Sequence, residues 1–514
     1  MRGVHIVEHD DSRGCKTTFQ FTTTLEKSGH KAGTECRLHQ VVLEKHSNAA
    51  DANAAFKRFL SNVFLPAGYP HSVSPGKSSS LFSPGLVFAI GADSFTRLFT
   101  IWNAAQACCS SLASLLASRA VLEGFGVGKQ SASATDAILV TVAQDVVSRL
   151  TTIIFAYWLG TSLFPEAKTY RFLADILNDM AIVLDVLSPQ LDKFVHAFTG
   201  RDFGSGIRVT ALCLSGSFRA LCGIVAGGSK AAVTMHFASD SVIGSGDIGD
   251  LNAKDSSKET VLALLGLLLG FVILPYVNTT RTTHTLLAFL LAAHLGANFA
   301  AVRGLTMRTL NRQRACIAWS NFRALERGNV GEDLLHPERI SRHERIFISP
   351  SRIRDGNSGT IIGRCTIGCS LSSLLRIDAE TSVERLTEVS IHELVDLFKD
   401  ERYALWCSRQ SRHRSPDISI ALKAGHTPID HLRGWLHACE IARLIATDGE
   451  TTERGEIHYI RAAHREVDRL FGKFTNVMRH HGWKIDEGTL VVGLPPILSF
   501  DIDCGPKGSP EGRP

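Results

Sequence analysis

The spacing of apolar and polar positions divides the chain into three zones: a polar leader (1–55), a charge-poor middle (56–322) and a charged C-terminal region (323–514). In the middle zone, Thr260–Thr280 and Thr282–Val302 each run 21 residues without an Asp, Glu, Lys or Arg. A helix crosses the hydrocarbon core with about 20 residues, so these two runs, separated by Arg281 alone, predict a tight transmembrane hairpin. Lys254 and Lys258 precede the hairpin and Arg303, Arg308, Arg312 and Arg314 follow it, which places both outer ends on the cytosolic side by the positive-inside rule. Asn278-Thr279-Thr280 is a glycosylation sequon on the far side, too near the bilayer to be expected to carry sugar.

Four more segments are apolar with polar interruptions: Asn103–Val121, Ala137–Phe164, Phe172–Leu191 and Val209–Gly228. Spanning helices and the buried helices of a soluble bundle share this pattern. Asp145, Arg149 and Arg219 are costly in lipid unless they face a bundle interior, so roughly four to seven embedded helices are expected.

In the C-terminal region the period changes. Arg345–Ser349, Thr360–Ile367 and Asp417–Leu422 predict strands, whereas Val383–Asp400, Thr427–Ile445 and Glu453–His481 have helical spacing and Gly488–Ile502 returns to β-like residues. The expected fold is therefore mainly α: a multi-helix integral membrane domain (56–322), then a small soluble cytosolic α/β domain (323–504). A disordered leader (1–55) and a Pro- and Gly-rich disordered tail (505–514) flank them.

Composition narrows the function classes. The 514 residues carry a net charge of only +5, which points to no nucleic-acid partner. The 12 cysteines follow no repeated spacing, so neither a disulfide framework nor a zinc site is expected. The leader has no apolar core of signal-peptide length, so any membrane entry uses an internal segment.

Several blocks occur in a fixed order: Phe64-Leu-Pro-Ala-Gly-Tyr-Pro-His-Ser-Val73, Arg171-Phe-Leu-Ala-Asp-Ile-Leu-Asn-Asp-Met180, Ala226-Gly-Gly-Ser-Lys-Ala231 and Asp250-Leu-Asn-Ala-Lys-Asp-Ser-Ser-Lys-Glu259. His294-Leu-Gly-Ala-Asn298 and Ala301-Val-Arg303 follow. The series resembles the root UVB sensitive family, a membrane-protein family long catalogued as a domain of unknown function. The resemblance covers about 56–322 and, more loosely, Asp417–Leu444. It implies a multi-pass eukaryotic membrane protein, with plant members tied to light responses of roots and to vitamin B6 balance, and no established reaction. Plant members often carry plastid targeting; this leader is not Ser/Arg-rich and acid-poor, so the endoplasmic reticulum or another endomembrane is the expected location. Gly76–Phe99 interrupts the family pattern and reads as an insertion, or as an intron retained in the gene model.

Polar residues inside an apolar region are the best functional pointers, because each costs free energy that packing alone does not demand. At about 100° per residue, Asp175, Asn178, Asp179 and Asp185 share one helix sector, opposite Leu177, Met180, Val183, Leu184 and Leu187. That sector is either the solvated face of an amphipathic helix or a polar cavity or ion relay between helices. Arg171, Arg219 and Lys230 are the candidate counter-charges, and Asp145 with Arg149 can pair at i,i+4 on their own helix. Gly223, Gly227 and Gly228 near Lys230 either permit close helix packing or break a helix and present backbone N–H groups to an anion.

Lys254, Asp255, Lys258 and Glu259 are either a solvated helix start or a gate or docking surface. His294 and Asn298, one turn apart in the second arm of the hairpin, are either a buried hydrogen-bonded pair or a site of proton handling. Gly124-Phe-Gly-Val-Gly128-Lys129 lacks phosphate-loop spacing, and His392, His426, His431 and His437 lack metal-ligand spacing. No catalytic residue, metal ligand or cofactor is assigned. The functions left open are a binding, transport or scaffolding role in a membrane, a membrane-bound enzyme linked to vitamin B6 metabolism, and an adaptor acting through the C-terminal domain. The expected partners are the lipid bilayer and a family paralogue or a second copy of the chain.

Overall fold

The computed structural model describes residues 3–10, 15–26, 33–45, 94–127, 134–160, 163–199, 206–239, 248–356, 358–375, 391–408, 415–448 and 455–502, which fall into two compact units. The side chains of 3–45 and of Lys254, Asp255 and Lys258 lie outside the described residues, as do 76–93 and the tail 505–514.

The helical unit ends at Met307. It contains α1 (Ser94–Gly124), α2 (Ala134–Leu159), α3 (Ala167–Leu187), α4 (Leu191–Thr199), α5 (Gly206–Ser239), α6 (Ile248–Ile273) and α7 (Thr280–Gly304). Among the described residues, four stretches are long and apolar enough to cross a membrane: Ala105–Gly124, Ala134–Leu159, Gly206–Val233 and Thr280–Gly304. Three of them match expected segments, and the fourth is the second arm of the hairpin. The first arm differs from expectation. α6 already begins at Ile248, so Lys230's partner Glu259 lies within it, and the apolar stretch formed by its end and the 3-10 turn after it is only Leu262–Tyr276.

The turn itself is as tight as the sequence suggests. Pro275 sits in a single 3-10 turn, Leu274–Tyr276, after which Thr279 caps α7 by exchanging hydrogen bonds with Thr282. Helix α5 runs unbroken through Gly223, Gly227 and Gly228, so no half-helix end is available there and the anion-cradle reading of these glycines is corrected. Gly228 instead lets Leu163 approach closely, whereas a Cβ at Gly223 or Gly227 would meet open space.

The second unit joins residues 3–45 to everything from Arg308 onward. The leader was expected to lack order, but it forms β1 (Gly3–Asp10), β2 (Cys15–Glu26) and β3 (Gly33–Lys45), an antiparallel meander. Its polar composition hid a run of Thr, Val, Ile and Phe, residues that suit a pleated strand. After Arg308 come α8 (Arg312–Glu326), α9 (Pro337–His343), β4 (Arg352–Arg354), β5 (Ile361–Ile367), α10 (Leu371–Leu375), α11 (Ile391–Leu397), β6 (Tyr403–Ser408), β7 (Asp417–Lys423), α12 (Pro428–Asp448), α13 (Glu456–His480) and β8 (Ile497–Ile502).

The strand order is β3-β2-β1-β8-β7-β5-β4, with β6 also pairing β7. The expected domain boundary at 322–323 falls inside α8. The strand expected at Arg345–Ser349 is absent because Phe347 sits at φ +62°, a left-handed conformation that a strand cannot contain. α13 buries Tyr459, Ile460, Ala463, Val467, Leu470, Phe474 and Met478 at helical spacing. Its Phe474 packs edge-on against Trp319 and Phe322 of α8, with ring centroids 5.3 Å apart in both pairs.

Candidate functional site

Helix α3 carries the first unexpected feature. The sector holding Asp175, Asp179 and Asp185 is its buried side, shared with Ala174, Ala181, Ile182 and Val186. On the opposite side Met180 is 44% exposed, and Leu177, Val183, Leu184 and Leu187 are only half-buried. The helix is therefore polar inward and apolar outward, which excludes the solvated-face reading.

The buried acids meet partners from neighbouring helices. His294 of α7 is 1% exposed, and its Nδ1 lies 2.8 Å from Asp179 Oδ1 while its Nε2 lies 3.8 Å from Asp175 Oδ2. Gln106 of α1 bridges the pair: its amide donates to the Asp175 carboxylate, and its Nε2 stands 3.3 Å from His294 Nε2. A neutral imidazole with its hydrogen on Nδ1 leaves Nε2 free to accept from Gln106, while Nδ1, close to Asp179 Oδ1, is out of line for a hydrogen bond to it. A protonated ring carries a second N–H at Nε2, placed for a charge interaction with Asp175 at 3.8 Å. The cluster can thus take up one proton from outside at Nε2 and give it back. Asn298, one turn after His294 and 1% exposed, faces the Asp175 carboxylate.

The buried cluster borders a cleft of about 470 Å³. Gln106 lines it together with Ser110, Ser111, Ser114 and Ser118 of α1; Arg171 of α3 and Glu259, Ala263 and Leu267 of α6 complete the walls. Glu259 accepts from Lys230 Nζ at 2.7 Å, with Arg171 Nη2 4.0 Å away on its other oxygen. The chain of polar groups runs from this rim, one helical turn along α3 from Arg171 to Asp175, into the buried His294.

Of the residues singled out from sequence, Asp175, Asp179, His294 and Asn298 come together, and Asn178 borders them by donating to Ser110 Oγ at 3.3 Å. Lys230 and Glu259 form the rim. Arg219 belongs elsewhere: it pairs with the buried Asp185 and donates to Ser215 Oγ at 3.2 Å. Lys254, Asp255 and Lys258 fall outside the described side chains. Sequence reasoning missed Gln106 and the four serines. Their one available signal was the spacing of Gln106, Ser110, Ser114 and Ser118 on one face of α1.

Residues 50–326 match the family model described as the vitamin B6 photo-protection and homoeostasis domain. The chain belongs to the root UVB sensitive family. It is 27% identical over 436 residues to protein root UVB sensitive 3 of Arabidopsis thaliana, covering 84% of each chain. With RUS family member 1 of Dictyostelium discoideum it shares 30% identity over 302 residues, 58% of this chain and 50% of that relative. With protein root UVB sensitive 2, chloroplastic, of Arabidopsis thaliana it shares 22% over 427 residues, 83% of this chain and 82% of that one. No solved structure matches the chain. The root UVB sensitive region holds every residue of the cleft and of the His294 cluster.

Proposed function

We propose that the helical unit lies in a membrane, binds a small polar solute in the serine-lined cleft, and uses the cluster around His294 to take up or release a proton as the solute binds or crosses. The observation that carries this reading is the burial of His294 between Asp175 and Asp179, bridged to the cleft by Gln106. Charges placed so deep are retained where a polar pathway needs them. The inverted polarity of α3 supports a lipid surround, because Met180 and its neighbours gain nothing from water. The family's domain description names vitamin B6, which makes B6 vitamers the first solutes to try. An endomembrane is the proposed location, read from a fluorescent fusion against organelle markers.

The test uses the full-length chain reconstituted in liposomes, with vitamers offered at several pH values and a proton gradient of either sign. Saturable binding or uptake is expected, reduced about ten-fold or more in Asp179→Asn, with uptake driven by the gradient. Binding without gradient-driven uptake assigns a static receptor. Neither binding nor uptake across a panel of small polar solutes, with the protein folded and embedded, would overturn the proposal.

A further inference from the structure

The serine-lined cleft holds a guanidinium that the protein itself leaves unengaged. Arg171, one turn into α3, lines the wall with its side chain only 19% exposed. Among the described residues none accepts a hydrogen bond from it, and the one acid within 4.0 Å is Glu259, whose Oε1 stands at that distance from Nη2, beyond hydrogen-bond reach. That carboxylate is already committed, since its other oxygen accepts from Lys230 Nζ at 2.7 Å. Asp175, the next acid along α3, accepts from Gln106 and has Asn298 facing it. The rim therefore sets two cations, Arg171 and Lys230, against a single carboxylate, and a guanidinium so far removed from water is costly without an anionic partner.

The serines of the cleft divide by what their hydroxyls have left to donate. Ser111 and Ser118 give their hydrogens to the carbonyls one turn back, Ala107 and Ser114, at 2.9 Å each. Ser110 accepts from Asn178 at 3.3 Å and so keeps its own O–H, and the Ser114 hydroxyl donates to no described residue. Ser110 and Ser114 lie one turn apart on the same face of α1. Leu115, Ala263 and Leu267 supply the apolar part of the lining. The cleft thus combines an unengaged guanidinium and two hydroxyl donors with an apolar wall.

We infer, resting on the reading of the cleft as a solute site, that the solute carries an oxyanion, carboxylate or phosphate, which Arg171 holds through its N–H fork. A guanidinium presents parallel N–H groups to two oxygens of such a group, and the Ser110 and Ser114 hydroxyls are the donors left for its remaining lone pairs. The bound anion also supplies the negative charge that the rim lacks. The rest of the solute is a compact body that lies against Ala263 and Leu267.

The test offers the full-length chain, in phosphatidylcholine liposomes, matched pairs of solutes that differ in one anionic group: glycerol and glycerol 3-phosphate, propionamide and propionate, pyridoxine and pyridoxine 5′-phosphate. In at least one pair the anionic member is expected to bind about ten-fold or more tightly than its neutral counterpart, the factor that a charge-assisted hydrogen bond supplies. Arg171→Gln brings the anionic member down to the level of the neutral one, and Arg171→Lys, which keeps the charge but loses the fork, recovers only part of the difference. Neutral members that bind as tightly as anionic ones in every pair overturn this inference alone, and that comparison is read on the wild-type chain, whatever the variants do to folding. An anionic preference that survives Arg171→Gln overturns it as well. If soluble anions do not bind, and phosphatidylglycerol added to the vesicles is retained by wild-type chains but not by Arg171→Gln chains, the oxyanion is a lipid head group and the solute assignment falls. A folded, embedded chain that binds neither member of any pair and retains no anionic lipid defeats the solute-site reading beneath the inference.

Discussion

The contact between α1 and α6 forms a wall of the cleft, and it is close because Gly266 has no side chain. A Cβ built at Gly266 would lie 2.8 Å from Ser111 Cβ, 3.0 Å from the Cys108 carbonyl oxygen and 3.2 Å from Cys108 Cα. Carbon atoms settle at about 3.5–4.0 Å, and two of these three obstacles are backbone, which cannot rotate aside. Gly266→Ala must therefore push the helices apart by roughly 0.5–1 Å, an overpacking that costs about 1–3 kcal/mol. Alanine also gains about 1 kcal/mol of helix propensity over glycine, which masks part of the cost.

Gly296 of α7 provides the control, since a Cβ there would meet nothing within 4 Å. Gly296→Ala carries the propensity gain without the clash, so the difference between the two variants isolates the contact at about 1–3 kcal/mol. Hydrogen exchange of the detergent-solubilised full chain reads this locally. Amides of α1 and α6 flanking the contact should exchange about 5- to 150-fold faster in Gly266→Ala than in Gly296→Ala, the factor that 1–3 kcal/mol corresponds to. Equal protection in the two variants would refute the argument that this glycine sets the helix separation.

Other consequences are simpler to state. Arg219→Ala leaves Asp185, whose side chain is 3% exposed, buried and unpaired, and should destabilise the helical unit by about 3–5 kcal/mol. Replacing the pair together as Arg219→Met with Asp185→Leu should recover most of the loss, and thermal unfolding of the two variants checks this. In the second unit, His437 donates from Nε2 to the Ile460 carbonyl at 2.9 Å and accepts from the Tyr403 hydroxyl, 3.2 Å from Nδ1. Its complete burial pushes its pKa down from 6.5 to about 3. The unfolded chain therefore binds a proton that the folded chain refuses, and the stabilisation present above pH 6.5 is lost as pH falls toward 3, by up to about 1.4 kcal/mol per pH unit. His431, held down to about 4 chiefly by burial, steepens the same limb. Urea unfolding followed at tryptophan should show that slope reduced by one proton in His437→Gln, and an unchanged slope would count against it. In the cleft, Ser114→Val leaves the buried cluster intact, so it should weaken solute binding while sparing its pH dependence, whereas His294→Gln should flatten the pH dependence; binding isotherms across pH separate the two.

Local periodicity made the helices of the membrane-like region and α12 and α13 legible, because each depends on residues three or four apart. The eight-stranded sheet was not legible. β1 pairs with β8 across nearly the whole chain, His5 opposite Asp501, and no local pattern encodes which distant strand completes an edge. The helix α8 that carries the expected boundary near 322 is a related case. Arg312 and Arg314 read as part of the basic flank of a span, yet Arg314 pairs with Glu344 and Arg312 donates to the Leu490 carbonyl inside the second unit.

The candidate site shows a sharper limit. A helical wheel establishes that Asp175, Asn178, Asp179 and Asp185 lie on one side of α3, but the pattern is identical whether that side faces outward or inward. In water the apolar side is driven inward by the hydrophobic effect. In lipid that drive vanishes, and the polar side turns inward because hydrocarbon offers it no hydrogen bonds. The sign of the orientation is thus a property of the solvent rather than of the sequence. His294 supplied the missing information, since one imidazole buried on α7 needs polar partners, and the acids of α3 are those partners only when the helix is turned inward. The same reasoning explains why Gln106 was overlooked. An amide among serines on an apolar helix resembles ordinary helix packing until the acid that it must satisfy is brought across from α3.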